Sequence, residues 1–581
     1  MNFLRFFGTA LIGCCLSTLT MQATDNKVHL RIIETTDVHG NFFPYNFITR
    51  SPWSGSMARA AAFIDSVRKE SGAENVLLLD AGDILQGQPT VYYYNFIDTA
   101  STHIASRIYD FLSYDAATIG NHDVETGHAV YDRWIADTSV PVLGANVLKA
   151  DSGEPYLTPY KIIEKNGVRI AVLGLLTPAI PAWLPENLWS GLRFEDMEES
   201  ATKWIKIIKE KENPDLVIGL FHSGNDYSRQ TGDYHENASQ QIARTIPGFD
   251  IIFSGHDHQL FNKVIAGPEG KQVNVLNPAN NANAIAMVDV VMAKDADGKW
   301  VKESASGNIC RLDETEPSES FMKEFAESYK TIDEFVSREI GSATGDFTSK
   351  EAFFGPSPFI DLVHRLQLDI TGADISFAAP LSFDAVIKAG PVRVSDMFNL
   401  YKYENLLYTM RMTGAEIKDY LEESYSIWIK DFDNEHLLLF ASDKPSSDNC
   451  SFKYPSYNFD SAAGIIYTMD ITKPKGERIT ILSMADGTPF HPDKNYSVAV
   501  NSYRGNGGGD LMTKGAKIPH DELPGRIINS TEQDLRYYML KEVEKKGVLT
   551  PMTLDTWKFV PESIAAPLIA KDKAILFPDK K

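Results

Sequence analysis

Cysteine is scarce. The 581-residue chain has 4, with Cys14 and Cys15 in an apolar leader and only Cys310 and Cys450 in the body. A disulfide framework therefore cannot hold this fold together, and a cysteine-ligated structural zinc site is excluded. Positive charge is also in deficit: 56 Lys+Arg stand against 78 Asp+Glu, a net charge of −22. That balance argues against a broad nucleic-acid or anionic-membrane surface, and against a stable nucleic-acid complex, but it allows a small anion held locally. No collagen-like, heptad or solenoid repeat is present, and nothing beyond the leader offers ~20 uninterrupted apolar residues. With 43% apolar residues, what is left is a compact chain of several domains.

Residues 1–23 read as a signal peptide, because Arg5 precedes an apolar run over 6–19 and polar residues follow from Thr24. Two processing routes stay open. Cleavage after Ala23 gives a soluble product, whereas Leu11-Ile12-Gly13-Cys14 resembles a bacterial lipoprotein box with Cys14 as the lipid acceptor. Only the second makes a membrane a partner. Either route predicts export, to the periplasm or the cell surface. Pairing of Cys310 with Cys450 is open as well.

The mature chain divides into segments. Over 28–311 short apolar β-type runs alternate with helix-like stretches, the pattern of a layered α/β domain. Phe321, Phe325, Tyr329, Ile332, Phe335, Val336 and Ile340 recur at helical spacing ahead of Gly341, which predicts a single linker helix within 312–341. Residues 342–561 mix helices and strands as a second, α+β domain, and the Lys/Asp-rich 562–581 reads as a loose tail.

Polar residues punctuate the first segment at strand ends. Leu30 to Ile33 leads into Asp37-Val38-His39, and Val76 to Leu79 into Asp80-Ala81-Gly82-Asp83. Three further apolar runs lead into Gly120-Asn121-His122-Asp123, into His222, and into Gly255-His256-Asp257-His258. Ligands of open α/β sheets bind beyond the carboxyl ends of strands, so five such loops can meet at one site. Any one of them alone is more often a turn former; together they are a constellation.

Carboxylate oxygens mixed with imidazoles suit Mn, Zn, Co, Fe or Mg. Asp37, His39, Asp83, Asn121, His222, His256 and His258 are too many for one tetrahedral ion, whereas two divalent ions sharing one aspartate use them all. A two-ion clamp serves phosphate-ester hydrolysis. The other histidines, including His103, His364 and His436, have no such context.

The pattern D-x-H, G-D, G-N-H-[DE], H, G-H-x-H resembles that of the metallophosphoesterases with the calcineurin-like fold. Within them, a first domain followed by a helix and a second domain is similar to the 5′-nucleotidase / 2′,3′-cyclic-nucleotide 2′-phosphodiesterase (3′-nucleotidase) group. The resemblance implies an α/β chain whose first domain is a four-layered β-sandwich flanked by helices, joined to a C-terminal nucleotide-specificity domain. It also implies one ion on Asp37, His39, Asp83 and His258 and another on Asp83, Asn121, His222 and His256, with Asp83 bridging. His122 would then act catalytically on the phosphoryl oxygen or leaving group, oriented by Glu125 where an aspartate is often found.

In the second domain the segment from Asn501 to Asp510 is glycine-rich. The resemblance implies that Tyr503, with Tyr457 across from it, stacks on a nucleobase, and that Asn506 and Asp510 belong to the same substrate site. Residues 375–381 lack the Gly-Gly and Arg of strict 5′-nucleotidases. The expectation is therefore hydrolysis of 2′,3′-cyclic nucleotides to 3′-nucleotides and on to nucleoside and phosphate. The alternatives are a 5′-nucleotidase, a nucleotide-sugar hydrolase, or a non-catalytic nucleotide-binding surface protein.

Overall fold

The structure, a computed structural model, describes residues 26–578 except 229 and 232; the leader with Cys14 lies outside them. Strand Val76–Asp80 is buried at every position, with Val76 and Leu78 facing helices while Leu77 and Leu79 face a second sheet. An unbroken apolar run such as Val76 to Leu79 is what a strand covered on both sides requires.

Six strands form the first sheet, in the order Trp300–Arg311, Ala284–Lys294, Lys27–Thr35, Val76–Asp80, Ala116–Thr118, Val142–Leu143. Six form the second, in the order Leu260–Ala266, Gln272–Pro278, Ile251–Ser254, Leu216–His222, Val168–Leu176, Tyr160–Lys165. The sheets meet through Leu30, Ile32, Leu77 and Leu79 on one side and Ile170, Val172, Ile218 and Leu220 on the other. Helices Met57–Ser71, Ile104–Leu112 and His128–Asp137 cover one outer face, and Met197–Glu212 and Ser239–Thr245 the other. Helix, sheet, sheet, helix is the expected four-layered sandwich. The inner strands are parallel, so their carboxyl ends open onto one rim.

The connection differs from the expected single helix. Glu319–Glu324 and Ala326–Ser337 are two helices broken at Phe325 (φ −100°, ψ 16°), and Ile340 belongs to the strand Glu339–Ala343. The apolar spacing serves burial instead: Phe321, Phe325, Ile332 and Val336 pack into the first domain's helical core. The expected loose tail is also corrected, since Glu562–Leu576 is a helix with Ala565, Leu568 and Leu576 buried. Its buried Asp572 accepts from the amides of Leu437 and Leu438 at 2.8 and 2.9 Å. Lys571 and Lys573, whose charge suggested a tail, reach the Glu435 carbonyl and the Glu351 carboxylate. Cys310 and Cys450 are unpaired thiols.

The second domain holds a five-stranded sheet, in the order Ser461–Ala463, Ile375–Ala378, Asn495–Asn501, Leu406–Thr413, Ile527–Asp534. Helix Gly414–Trp428, started by a Thr413/Glu416 capping box, buries Ile417, Leu421 and Tyr425 against one face. Helix Pro358–Thr371 packs Phe359, Val363 and Leu366 into the other. Tyr92, on the helix that follows the Asp83 loop, enters this second cluster, and its hydroxyl donates to Asp534 Oδ2 at 3.0 Å. The two domains are thereby pinned beside the rim.

Candidate active site

The rim is built on strained backbone. Asp37, His39, Asp83, His256 and His258 all have φ between 48° and 74°. Side chains seldom adopt that region, and such strain gathers at functional sites. Two glycines make the close approach feasible: a Cβ on Gly120 would overlap Asp83 Oδ1, and one on Gly255 would overlap Thr36 Oγ1. Asp123 sets the Asp83 loop by accepting the amides of Asp83, Ile84, Leu85 and Gly120 at 2.8–2.9 Å.

Backbone carbonyls orient the imidazoles. His39 Nδ1 donates to the Gln86 carbonyl at 3.2 Å and His222 Nδ1 to that of Ala81 at 2.7 Å. A carbonyl only accepts, so in the neutral ring each lone pair lies on Nε2. His39 Nε2 then faces His258 Nε2 at 3.0 Å. His222 Nε2 faces Asn121 Oδ1 at 3.0 Å and Asp83 Oδ2 at 3.1 Å. Glu236 turns the last ring, taking His256 Nε2 at 2.9 Å and leaving Nδ1 at 2.7 Å from Asn121 Oδ1.

Asp83 Oδ2 is buried and finds no donor while His222 is neutral. Acceptors turned on one another without a donor require positive charge among them. Burial resists a proton on His222, yet Asp83 and Asp37 raise it to about 9, whereas burial holds His39 down at about 3. Ligand atoms of Asp37, His39 and His258 lie within 4.8 Å of one another, as do those of Asp37, Asp83 and His222. All seven expected side chains meet at this rim, and Asp37, rather than Asp83, is common to both of these groups.

His122 belongs to neither group. Its amide donates to Asp83 Oδ1 at 2.8 Å, and its Nδ1 lies 2.5 Å from Glu125 Oε2, so the longer glutamate side chain reaches the ring at a position where the family often has an aspartate. Burial opposes charge on this ring, but Asp83 and then Glu125 raise it to about 10. The ring stands 5.5 Å from that of His39, edge to face.

Beside the rim a cleft of about 520 Å³ is lined from the second domain by Tyr457, Asn458, Tyr503 and residues 507–510, and from the first by Ala182 and Trp183. Tyr457 and Tyr503 share it, but their rings lie 6.3 Å apart at 84°, not as the parallel slot a base clamp suggests. Asp510 lines the cleft and pairs with Lys514 at 2.6 Å. Asn506 does not line it; its Nδ2 reaches the Trp183 carbonyl at 3.4 Å.

Residues 30–260 match the family described as calcineurin-like phosphoesterase, and residues 339–515 match the 5′-nucleotidase C-terminal domain. The chain belongs to the calcineurin-like phosphoesterases that carry this C-terminal domain. This phosphoesterase is 27% identical to the 2′,3′-cyclic-nucleotide 2′-phosphodiesterase/3′-nucleotidase of Haemophilus influenzae, over 96% of this chain and 92% of that protein. It is 28% identical to the trifunctional nucleotide phosphoesterase YfkN of Bacillus subtilis over 95% of this chain, and spans 40% of that protein's length. A putative 5′-nucleotidase from Staphylococcus aureus matches with a TM-score of 0.75 at 21% identity, over 91% of this chain and 99% of that one, a likeness of fold. The phosphoesterase is thus a hydrolase of phosphate esters, from a family that uses divalent metals.

Sequence reasoning missed several supports of this phosphoesterase's site. Asp123 had a visible signal, standing inside the Gly-Asn-His-Asp run. Glu236 had none, because it lies on the excursion between His222 and His256. Arg504 looked like part of a glycine loop; it is buried, with Nε on Asp460 Oδ2 at 3.2 Å, Nη1 on Asn458 Oδ1 at 3.1 Å and Nη2 on the Tyr457 carbonyl at 2.9 Å. One guanidinium therefore ties both tyrosine-bearing loops together.

Proposed function

We propose that this phosphoesterase is exported and opens 2′,3′-cyclic nucleotides to 3′-nucleotides, then releases phosphate from those, using two divalent ions. The observation that carries this reading is the convergence of lone pairs at the rim, next to His122 and a tyrosine-lined cleft. Asp37, His39, Asp83 and His258 would hold one ion, and Asp83, Asn121, His222 and His256 the other. Bound ions supply Lewis acidity toward a phosphoryl group. Glu125 holds Nδ1 of His122 and leaves Nε2 to pass a proton to the departing sugar oxygen, a contribution of about 10²–10⁴ in rate. The second domain, 342–561, would then select the nucleotide through Tyr457 and Tyr503.

Two things favour the cyclic branch over the 5′ branch. Relatives named for the cyclic activity align over nearly the whole chain. Among the described residues lining the cleft there is no arginine, and Arg504 just behind it is engaged with Asp460, Asn458 and the Tyr457 carbonyl. Export rests on the leader sequence; among the described residues no helix is long and apolar enough to cross a membrane. The deciding experiment assays 2′,3′-cyclic AMP, 3′-AMP and 5′-AMP side by side with purified protein. Turnover of the first two well above the third is expected, and preference for 5′-AMP would overturn the cyclic assignment.

A further inference from the structure

Trp183 is absent from every motif considered above. It ends the short helix Ile180–Trp183, which follows the carboxyl end of strand Val168–Leu176, a sixth strand end at the rim. Its ring lies 5.5 Å from that of His256, tilted by 34°, and it also lines the cleft that holds Tyr457 and Tyr503. Its carbonyl takes the amide of Asn506 from the second domain. Trp134 and Trp428 are wholly buried in the cores, whereas Trp183 is only half-buried, and its indole N–H has no acceptor among the described residues.

In a nucleoside phosphate only the sugar separates the phosphate from the base. If the phosphate lies at the rim and the base in the cleft, the sugar passes where the two meet, and Trp183 borders both. An indole suits a furanose: a flat apolar face for the C–H groups and an edge N–H for a hydroxyl. We infer that Trp183 is the sugar platform of this enzyme, contacting the furanose ring of a nucleoside phosphate whose phosphate lies at the imidazole–carboxylate rim. This rests on the nucleotide reading above.

The test compares wild type with Trp183→Ala, Trp183→Leu and Trp183→Phe on three substrates. Adenosine 3′-phosphate has base and sugar, methyl ribofuranoside 3-phosphate has sugar alone, and p-nitrophenyl phosphate has neither. Relative to p-nitrophenyl phosphate, kcat/KM for both sugar phosphates should fall about 3- to 10-fold in the Ala and Leu variants, mostly through KM, with the Phe variant recovering part. Metal content by elemental analysis should match wild type. An equal fall on all three substrates, or loss of metal, would make Trp183 a prop for His256 and overturn the inference. A fall confined to the base-bearing substrate would also overturn it, placing the indole on the base. Wild-type protein that turns over no nucleotide would sink the nucleotide reading itself and this inference with it.

Discussion

The rim of the sandwich and the cleft of the second domain are held by opposite means. At the rim, short polar side chains stand on left-handed backbone, and Asp37, Asp83 and His222 are at most 1% exposed. Their carbonyl and carboxylate partners come from all around the strand ends, so no single contact carries the geometry. The cleft is open and aromatic, and its two loops depend on one buried arginine. Chemistry on a phosphate needs donors fixed within fractions of an ångström, which a packed double sheet supplies. Choice among nucleotides needs a reachable surface, which loops supply.

That contrast breaks most sharply at Asp83. Asp83→Asn weakens the carboxylate proposed to serve both ions, so kcat should fall by at least about 10³-fold with loss of bound metal. Elemental analysis and phosphodiesterase assays before and after chelation check this, with Mn²⁺ or Co²⁺ re-addition restoring wild type alone. Verified metal-free protein that kept its rate would end the two-ion reading. His122→Ala comes next: both ions should stay while kcat drops about 10²–10⁴-fold. Metal lost from that variant would make His122 a ligand instead.

The same contrast explains what could be read in advance. Asp37, His39, Asp83, Asn121, His122, His222, His256 and His258 each stand at or within a few residues of the end of an apolar run, so strand pattern and polar punctuation mark them together. Glu236 and Trp183 reach the rim only because connections between strands fold back over it, which leaves no local periodicity. The four layers were legible because strands such as Val76–Asp80 open with an unbroken apolar run, here Val76 to Leu79. The break at Phe325 and the docking of Glu562–Leu576 were not, since both depend on distant cores. Tyr457 and Tyr503 line one cleft, but their ring orientation is a packing outcome that sequence spacing does not encode.

The cleft should break at its arginine. Arg504→Met leaves Asp460, only 4% exposed, without its buried partner, a change that destabilises by roughly 3–5 kcal/mol. Urea unfolding should show the loss, while metal content at the rim stays at the wild-type level. A midpoint within error of wild type would remove Arg504 from its central place. Tyr503→Ala is gentler. Base–aromatic stacking is worth about 1–3 kcal/mol, so nucleotide binding should weaken about 5- to 150-fold relative to bis(p-nitrophenyl) phosphate, which has no base. Parallel loss on both substrates would assign Tyr503 to the core.

The smallest effect lies where the two regions touch. Glu404 is 6% exposed, and neither carboxyl oxygen has a hydrogen bond, although Arg536 Nη1 is 3.6 Å away. Burial pushes its pKa up to about 8 from the ordinary 4.5; Arg536 opposes this and Glu125, across the domain boundary, adds to it. Between those two pH values the unfolded chain has lost the proton and the folded protein keeps it. Folding therefore takes up a proton, and stability falls as pH rises through this window, with no further change from this group below it or above it. One group can contribute at most about 1.4 kcal/mol per pH unit, so from pH 6 to pH 7 the loss should be about 1 kcal/mol. Glu404→Gln keeps the shape and removes the titration, so its stability relative to wild type should grow by that amount over the same interval in urea unfolding. Curves that stay parallel across pH 6–7 would mean that Glu404 is ionised in the folded protein and paired with Arg536, making this boundary a closed ion pair instead of a buried acid.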